Sequence, residues 1–305
     1  MPVLPPAPHG RVLTAMITPM RADGGLDLDG AQQLATHLIA RGNDGLVLNG
    51  TTGESASTSD AEKERLVRAV REAVGDAVPV LVGVGTSDTA HTVELAHAAD
   101  KAGATGLMVV SPYYNRPSQA GLEAHVRAVA DATGLPVMLY DIPVRTGVAF
   151  ETETLVRLAE HPRVISVKDA KGDLTATAWV RARTDLAIYS GDDIATLPLL
   201  SIGAVGVVSV AGHLIGREIA TMIGRYDGGD PGAATTVHLR MLPVWAGLFR
   251  QPAVTLVKAA LGLLGLPGGP VRLPLVDATP EQVDQLRADL AAAGVPSGPP
   301  TTLVA

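Results

Sequence analysis

Residues 45–76, GLVLNGTTGESASTSDAEKERLVRAVREAVGD, contain the pattern that decides the fold. In the run GLVLNG (45–50) apolar residues follow one another instead of alternating with polar ones, which is typical of a strand buried on both faces. Segment 59–76 has apolar positions three and four residues apart, which predicts a helix with one buried face. A strand followed by such a helix is the repeating unit of parallel α/β folds.

The same alternation extends in both directions along the chain. Helical patterns recur at 28–42, 88–103, 118–134 and 151–161, and apolar runs predict seven further strands, at 12–19, 79–85, 106–112, 136–142, 164–170, 187–191 and 206–211. Eight β/α units predict an α/β fold of the (β/α)8 TIM-barrel type. The alternative is a doubly wound open sheet, but its first strand would precede a glycine-rich phosphate loop, where this chain has ITPMRADG (17–24).

The strand pattern stops near residue 225, and this divides the chain into two predicted parts. We expect the barrel and its site in 10–225 and a helical extension in 226–298, with helices near 233–248, 252–265 and 280–293. The extension has no strand pattern of its own, so we expect it to pack on the barrel or against another subunit. The proline-rich start (1–11) is predicted to be disordered, and 296–305 to be a tail.

Composition favours small-molecule chemistry. The chain has 305 residues, 47% of them hydrophobic, which is enough for one large core. A net charge of −7 argues against nucleic acid or an anionic membrane as a partner. With no cysteine there is no disulfide or thiolate site, and no apolar stretch is long enough for a membrane span. These features predict a soluble cytoplasmic protein.

Lys168 is the most informative single residue. It is a lone cation near the end of the apolar run in VISVKDAKGD (164–173). Burial disfavours the charged form of an amine, and a neutral amine can attack a carbonyl carbon to form a Schiff base. The alternative is a structural lysine paired with a carboxylate such as Asp169 or Asp192.

Other polar groups follow the predicted strands, at the barrel end where TIM-barrel sites are built. They are GTTGES (50–55), Tyr113–Asn115, Tyr140 with Pro143 and Arg145, and Gly191–Asp193. Each also has a simpler interpretation. GTTGES could be a turn leading to a helix N-cap, the tyrosines packing or interface aromatics, Arg145 part of a surface ion pair, and Asp192–Asp193 a helix cap.

The sequence offers no convincing metal site. The best grouping, His91, Glu94 and His97, has spacings typical of a solvated helix face. Because cysteine and an HExxH motif are both missing, we expect chemistry without a metal.

Five motifs resemble, in order and spacing, the dihydrodipicolinate synthase and N-acetylneuraminate lyase superfamily of class I pyruvate aldolases. They are GTTGES (50–55), SPYYNRPSQAG (111–121), YDIPVRTG (140–147), VISVKDAKGD (164–173) and SGDD (190–193). Arg145 makes the chain most similar to the dihydrodipicolinate synthases. These enzymes join pyruvate to L-aspartate-4-semialdehyde in lysine and diaminopimelate biosynthesis, and their matching arginine binds the aldehyde substrate's carboxylate.

The resemblance implies a role for each matching catalytic residue. Lys168 would form the Schiff base with pyruvate, and Tyr140 would act as general acid and base. Thr51 and Tyr114 would relay protons to Tyr140, with Tyr114 reaching in from a neighbouring subunit. A homotetramer, arranged as a dimer of dimers, is therefore expected.

The resemblance also implies a set of substrate-binding residues. Thr52 would hold the pyruvate carboxylate, Gly191 would leave room for substrate, and Val208 would offer a backbone carbonyl near the site. No external cofactor is implied. The chain has Asp141 where many relatives have asparagine, a change that we expect to be tolerated.

Two other functions compete with this hypothesis. Another class I pyruvate-dependent lyase, or a 2-keto-3-deoxy sugar-acid aldolase or dehydratase, would use the same Lys168 and Tyr140, but Arg145 argues against it. A non-catalytic barrel is disfavoured because the nucleophile and its acid/base partner are both present.

We predict that free lysine inhibits this protein weakly or not at all. Lysine-inhibited bacterial relatives often have histidines, an asparagine and a glutamate at positions that match Asp60, Lys63, Ser87 and His91 here. Lys63 would repel a cationic ligand, and His91 cannot replace the attraction of a carboxylate. Steady-state rates measured over a range of lysine concentrations check this, and clear inhibition at sub-millimolar lysine would contradict it.

Overall fold

The computed structural model describes residues 6–298, so the predictions for residues 1–5 and 299–305 lie outside the described part. Eight strands alternate with helices along the chain, and further helices follow the last strand. The strands are β1 (Val12–Ala15), β2 (Gly45–Leu48), β3 (Val80–Gly83), β4 (Gly106–Val110), β5 (Val137–Asp141), β6 (Val164–Asp169), β7 (Ala187–Ser190) and β8 (Gly206–Ser209). The first helices are α1 (Leu28–Ala40), α2 (Asp60–Val74), α3 (Thr89–Lys101), α4 (Gln119–Ala132), α5 (Pro143–Thr146) and α6 (Thr152–Ala159). The remaining ones are α7 (Leu174–Arg183), α8 (Thr196–Ser201), α9 (Gly212–Asp227), α10 (Pro231–Leu248), α11 (Ala253–Leu263) and α12 (Pro280–Ala292).

The strands form a closed parallel barrel in chain order, in which β8 pairs with β1. The predicted TIM barrel is therefore confirmed, and the open sheet is wrong. The strands are buried along nearly their whole length, which agrees with their continuous apolar sequences.

The apolar core has two layers, one inside the barrel and one outside it. The inner layer includes Leu13, Val47, Met108, Met138 and Val208, and the larger outer layer lies between the strands and the surrounding helices. Because successive side chains on a strand point to opposite faces, each strand supplies both layers.

The N-terminal end of the barrel is filled by His9, which is 3% exposed. Its Nε2 lies 3.3 Å from the Ser166 hydroxyl, and its backbone N–H donates to the Tyr189 hydroxyl at 3.2 Å. Burial lowers the pKa of His9 to about 4, so the imidazole is neutral at physiological pH. The expectation of a disordered start is therefore wrong for residue 9, because its side chain is needed to fill the barrel.

The C-terminal helices pack on the barrel and on one another. Helix α10 packs against α9 and α12, and α11 packs against α9 and α12. Helix α9 runs through the predicted boundary at residue 225, and the division into two parts stays a prediction. None of the helices formed by residues 6–298 combines the length and the apolar character that a membrane span requires.

Candidate active site

Lys168 and Tyr140 lie side by side at the C-terminal end of the barrel. They are register partners on the neighbouring strands β6 and β5, and each is only 5% exposed. The Lys168 Nζ lies 4.1 Å from the centre of the Tyr140 ring. The parallel register thus brings the predicted nucleophile and the predicted acid/base into direct contact.

The structure contradicts the alternative of a structural lysine paired with a carboxylate. Within residues 6–298, Lys168 has no carboxylate at ion-pair distance. Both oxygens of Asp169 are bound elsewhere, because one accepts from the Lys171 backbone N–H at 2.9 Å and the other from the Thr177 hydroxyl. Asp169 points out of the barrel, whereas Lys168 points in, as their adjacent positions on one strand require.

The loop after β2 carries Thr51 and Thr52. GTTGES forms a series of turns, and the helix that follows it is capped by Ser59 in a capping box with Glu62. The simpler interpretation, in which GTTGES is a turn leading to a helix N-cap, is therefore confirmed for the backbone. Thr52 is 8% exposed, whereas Thr51 is exposed to solvent.

A close approach between β3 and this loop needs a glycine. A Cβ atom on Gly83 would lie 2.5 Å from the Asn49 carbonyl oxygen, so any side chain there would push the loop outward. The position of the threonines therefore depends on a residue of the neighbouring strand.

Backbone strain is concentrated in two loops at this end of the barrel. The non-glycine residues with positive φ in 6–298 are Asn49 and Glu54 after β2, and Tyr114 and Arg116 after β4. Such conformations are costly and cluster at functional sites, where the surrounding structure must hold them. Their placement supports a site at the C-terminal end of the barrel, which forms its mouth.

Tyr114 lies on the surface of its own chain. It is 92% exposed and has a φ of 73°, and no hydrogen bond within the described chain joins its hydroxyl to Tyr140 or Thr51. The flanking residues are anchored, because Asn115 donates to the Ser87 carbonyl at 2.9 Å and Arg116 to the Gly147 carbonyl at 2.9 Å. The loop therefore holds Tyr114 in an outward position, and the predicted relay is not assembled within one chain.

Of the other predicted site residues, Arg145 and Gly191 follow the ends of β5 and β7, and Val208 lies within β8. Arg145 is exposed on α5 and forms no ion pair in the described part of the chain, so the surface ion-pair interpretation is wrong. Gly191 packs tightly, since a Cβ atom there would lie 2.8 Å from the Ala170 Cβ. Val208 belongs to the inner layer and pairs with Leu13 of β1.

Asp193 fastens the loop after β7 to the end of β8. Its buried carboxylate accepts hydrogen bonds from the Val210 N–H at 3.0 Å, the Ala211 N–H at 3.1 Å and the Ser209 hydroxyl. The helix-cap interpretation is wrong for this residue, because the N-cap of α8 is Ala195 and no side chain caps that helix. The motif SGDD predicted that this residue lies at the site, but its hydrogen-bond partners could not be predicted from the sequence.

Asp141 lies behind Tyr140, on the outer face of the barrel and beside Asp169 of β6. It is 1% exposed, and one oxygen accepts from the Phe150 N–H at 3.2 Å while the other lies 3.5 Å from the Lys171 Nζ. Burial raises its pKa to about 6, although Lys171 opposes this shift. The asparagine that the family resemblance implies at this position would match the carboxyl group in shape but not in charge.

The fold and the site together define a TIM-barrel enzyme of the class I aldolase type, which is a lyase. The chain belongs to the dihydrodipicolinate synthetase family, whose model matches residues 8–293.

Similar proteins cover almost the whole chain. It is 66% identical to the 4-hydroxy-tetrahydrodipicolinate synthase of Acidothermus cellulolyticus over 291 residues, which are 95% of this chain and 94% of that protein. It is 60% identical to 4-hydroxy-tetrahydrodipicolinate synthase 2 of Streptomyces coelicolor, over 95% of this chain and 97% of that protein.

Solved structures agree with the fold. The dihydrodipicolinate synthase of Cyanidioschyzon merolae, crystallised with lysine bound, matches with a TM-score of 0.92 at 45% identity, over 94% of this chain and 98% of that one. The Bacillus anthracis dihydrodipicolinate synthase matches with a TM-score of 0.91 at 40% identity, over 93% and 98%. The bound lysine belongs to the former structure, and weak inhibition of this chain by lysine stays a prediction.

We predict that Asp141→Asn changes how stability depends on pH. A carboxyl group whose pKa is higher in the folded than in the unfolded state favours folding at low pH, and this contribution is lost as pH rises from about 4 through about 6. The free energy of unfolding of the wild type, relative to the variant, should therefore fall by up to about 3 kcal/mol across this window. Urea unfolding at a series of pH values measures the difference, and parallel curves for the two proteins would contradict the prediction.

Proposed function

We propose that this chain catalyses the 4-hydroxy-tetrahydrodipicolinate synthase reaction, the condensation of pyruvate with L-aspartate-4-semialdehyde in lysine and diaminopimelate biosynthesis. The observation that carries the proposal is the buried Lys168 amine, which lies against the Tyr140 ring and has no carboxylate partner in residues 6–298. The names of the similar proteins and the position of Arg145 at the same mouth support the choice of substrates.

In the first half of the proposed reaction, the Lys168 amine attacks the ketone carbon of pyruvate. Loss of water leaves a protonated Schiff base, whose positive nitrogen acidifies the adjacent methyl group. Tyr140, whose ring packs against the Lys168 amine, serves as the acid and base for these proton transfers. Thr52 binds the pyruvate carboxylate, and loss of a methyl proton gives the enamine.

In the second half, the enamine carbon adds to the aldehyde carbon of the semialdehyde. Arg145, which has no ion-pair partner within residues 6–298, binds the incoming carboxylate. The substrate's own amine then displaces Lys168 by transimination and closes the ring. One water molecule is released overall, and the enzyme returns to its starting state without an external cofactor.

We further propose that the enzyme is a homotetramer built as a dimer of dimers, acting in the cytoplasm. Tyr114 is 92% exposed in an anchored loop, which suits a side chain that completes the proton relay in a neighbouring subunit. Exposed apolar side chains also lie on α7, away from the Tyr114 loop, where Leu174 is 44% and Trp179 is 60% exposed. Two separate surfaces of this kind suit the two interfaces of such a tetramer.

The Schiff base can be trapped directly. We expect borohydride reduction in the presence of pyruvate to add one reduced pyruvyl group to Lys168, because reduction converts the imine into a stable amine. Intact mass followed by peptide mapping measures the adduct. Lys168→Met should abolish it, and Lys101→Met, a change at an exposed lysine on α3, should leave it intact.

Two outcomes, one of the trapping experiment and one of turnover assays with the semialdehyde and with sugar acids, would overturn parts of the proposal. If the folded wild type formed no adduct, the mechanism would be wrong and a non-catalytic barrel would be favoured. If an adduct formed but 2-keto-3-deoxy sugar acids were turned over in place of the semialdehyde, Lys168 would keep its role and the substrate assignment would fail.

Mixing two inactive variants tests whether Tyr114 acts in a neighbouring subunit. In a mixed dimer of Tyr114→Phe and Lys168→Arg chains, one of the two sites would combine an intact Lys168 with an intact Tyr114 from its partner. Random reassociation should then recover about one quarter of the wild-type activity. Turnover before and after denaturation and refolding of the mixture measures this recovery, and no recovery would show that Tyr114 acts within its own chain.

A further inference from the structure

The GTTGES loop is tied to the C-terminal helices through Glu54. The Glu54 side chain is fully buried, and its Oε1 accepts a hydrogen bond from the Lys258 Nζ at 2.6 Å. Its Oε2 accepts from the Arg272 backbone N–H at 2.8 Å. The two donors are 204 and 218 residues further along the chain, so one carboxylate joins the loop after β2 to the region of α11.

Lys258 is built into this contact. It lies on α11, is 4% exposed, and also donates to the Pro270 carbonyl at 2.7 Å. Burial lowers the pKa of Lys258, while the carboxylate of Glu54 opposes the shift. Since a buried ion pair adds little net stability over apolar packing, the location of this pair beside the loop is more informative than its strength.

The segment after α11 holds the same loop at a second point. The Arg272 guanidinium donates to the Ser57 carbonyl at 2.8 Å and pairs with Glu62, the residue that completes the capping box of α2. It also donates to the Gly24 carbonyl at 2.7 Å, in the loop after β1. The C-terminal segment therefore binds the turn that follows the threonines at both of its ends, Glu54 and Ser57.

The backbone links Glu54 directly to those threonines. The Glu54 N–H donates to the Thr51 carbonyl at 3.1 Å, and Glu54 has a φ of 55°. A non-glycine residue keeps such a conformation only when its surroundings hold it. Release of the Glu54 side chain would let the turn relax and would move Thr51 and Thr52.

We propose that Glu54 and Lys258 are a positioning pair through which the C-terminal helices set the position of Thr52, the proposed binding residue for the pyruvate carboxylate. The inference rests on the proposed function, because it takes Thr52 as the residue that binds pyruvate. Neither member of the pair touches substrate, and both act through the loop.

A carboxylate is required at position 54 because it must accept from two donors on its two oxygens. In Glu54→Gln the carboxamide has one accepting and one donating end, so it faces either Lys258 or the Arg272 N–H with the wrong polarity. The substitution keeps the size of the side chain and removes the second acceptor. The substitution therefore changes the packing little but removes one of the two hydrogen bonds through which Glu54 holds the loop.

The test compares wild type, Glu54→Gln and the double variant Glu54→Gln/Lys258→Met. The pyruvate concentration that gives half-maximal borohydride trapping on Lys168 is measured for each, together with the KM for the semialdehyde and the Tm. We expect both variants to need on the order of tenfold more pyruvate, with the KM for the aldehyde unchanged. The double variant should recover Tm relative to Glu54→Gln alone, because it leaves no buried charge without a partner.

Asp289→Asn is the matched control. It breaks the ion pair between Arg250 and the nearly buried Asp289, which joins the segment just after α10 to α12 without touching the loop. We expect this variant to lower Tm and to leave the pyruvate dependence as in the wild type.

The outcomes separate this inference from the function on which it rests. If wild type forms the adduct and Glu54→Gln shows the same pyruvate dependence, the positioning role is overturned and the proposed function stands. Recovery of the pyruvate dependence together with Tm in the double variant would also overturn it, since stability alone would then govern the site. If wild type formed no adduct, both proposals would fail.

Discussion

The parallel pairing of β5 with β6 is the constraint on which the site depends. It makes Tyr140 and Lys168 register partners, and the pleat turns both side chains into the barrel. A shift of one residue would turn Lys168 outward and bring Asp169 into the mouth in its place. Closure of the barrel prevents such a shift, because every strand is held by two neighbours.

The chemistry at the mouth depends on where the charged groups are kept. The carboxylates of Asp141 and Asp169 lie on the outer face of their strands, where Lys171 and Thr177 bind them. Lys168 therefore has no anion beside it within the described chain, although two carboxylates lie one residue away from the site residues. The alternation of side chains along each strand thus separates the Lys168 amine from these two carboxylates.

Three loops at the mouth are fastened by polar contacts with another part of the chain, and two of these contacts are buried. Asp193 holds the end of β8, Asn115 holds the loop after β3, and Glu54 is held by Lys258 of α11. Barrel enzymes need such contacts because their catalytic groups lie on loops, and a loop is placed only as well as its anchors allow.

By itself the sequence determined the number and order of the strands, their burial on both faces and the identity of the residues at their ends. These are local properties, set by apolar runs of a few residues and by helical periodicity. Only the tertiary structure decided that His9 fills the barrel, that Tyr114 points away from its own site and that Glu54 meets Lys258. The reason is physical. The contacts of His9 and Glu54 join residues up to about two hundred positions apart, and a hydrogen bond or an ion pair between such residues leaves no periodic pattern in the chain.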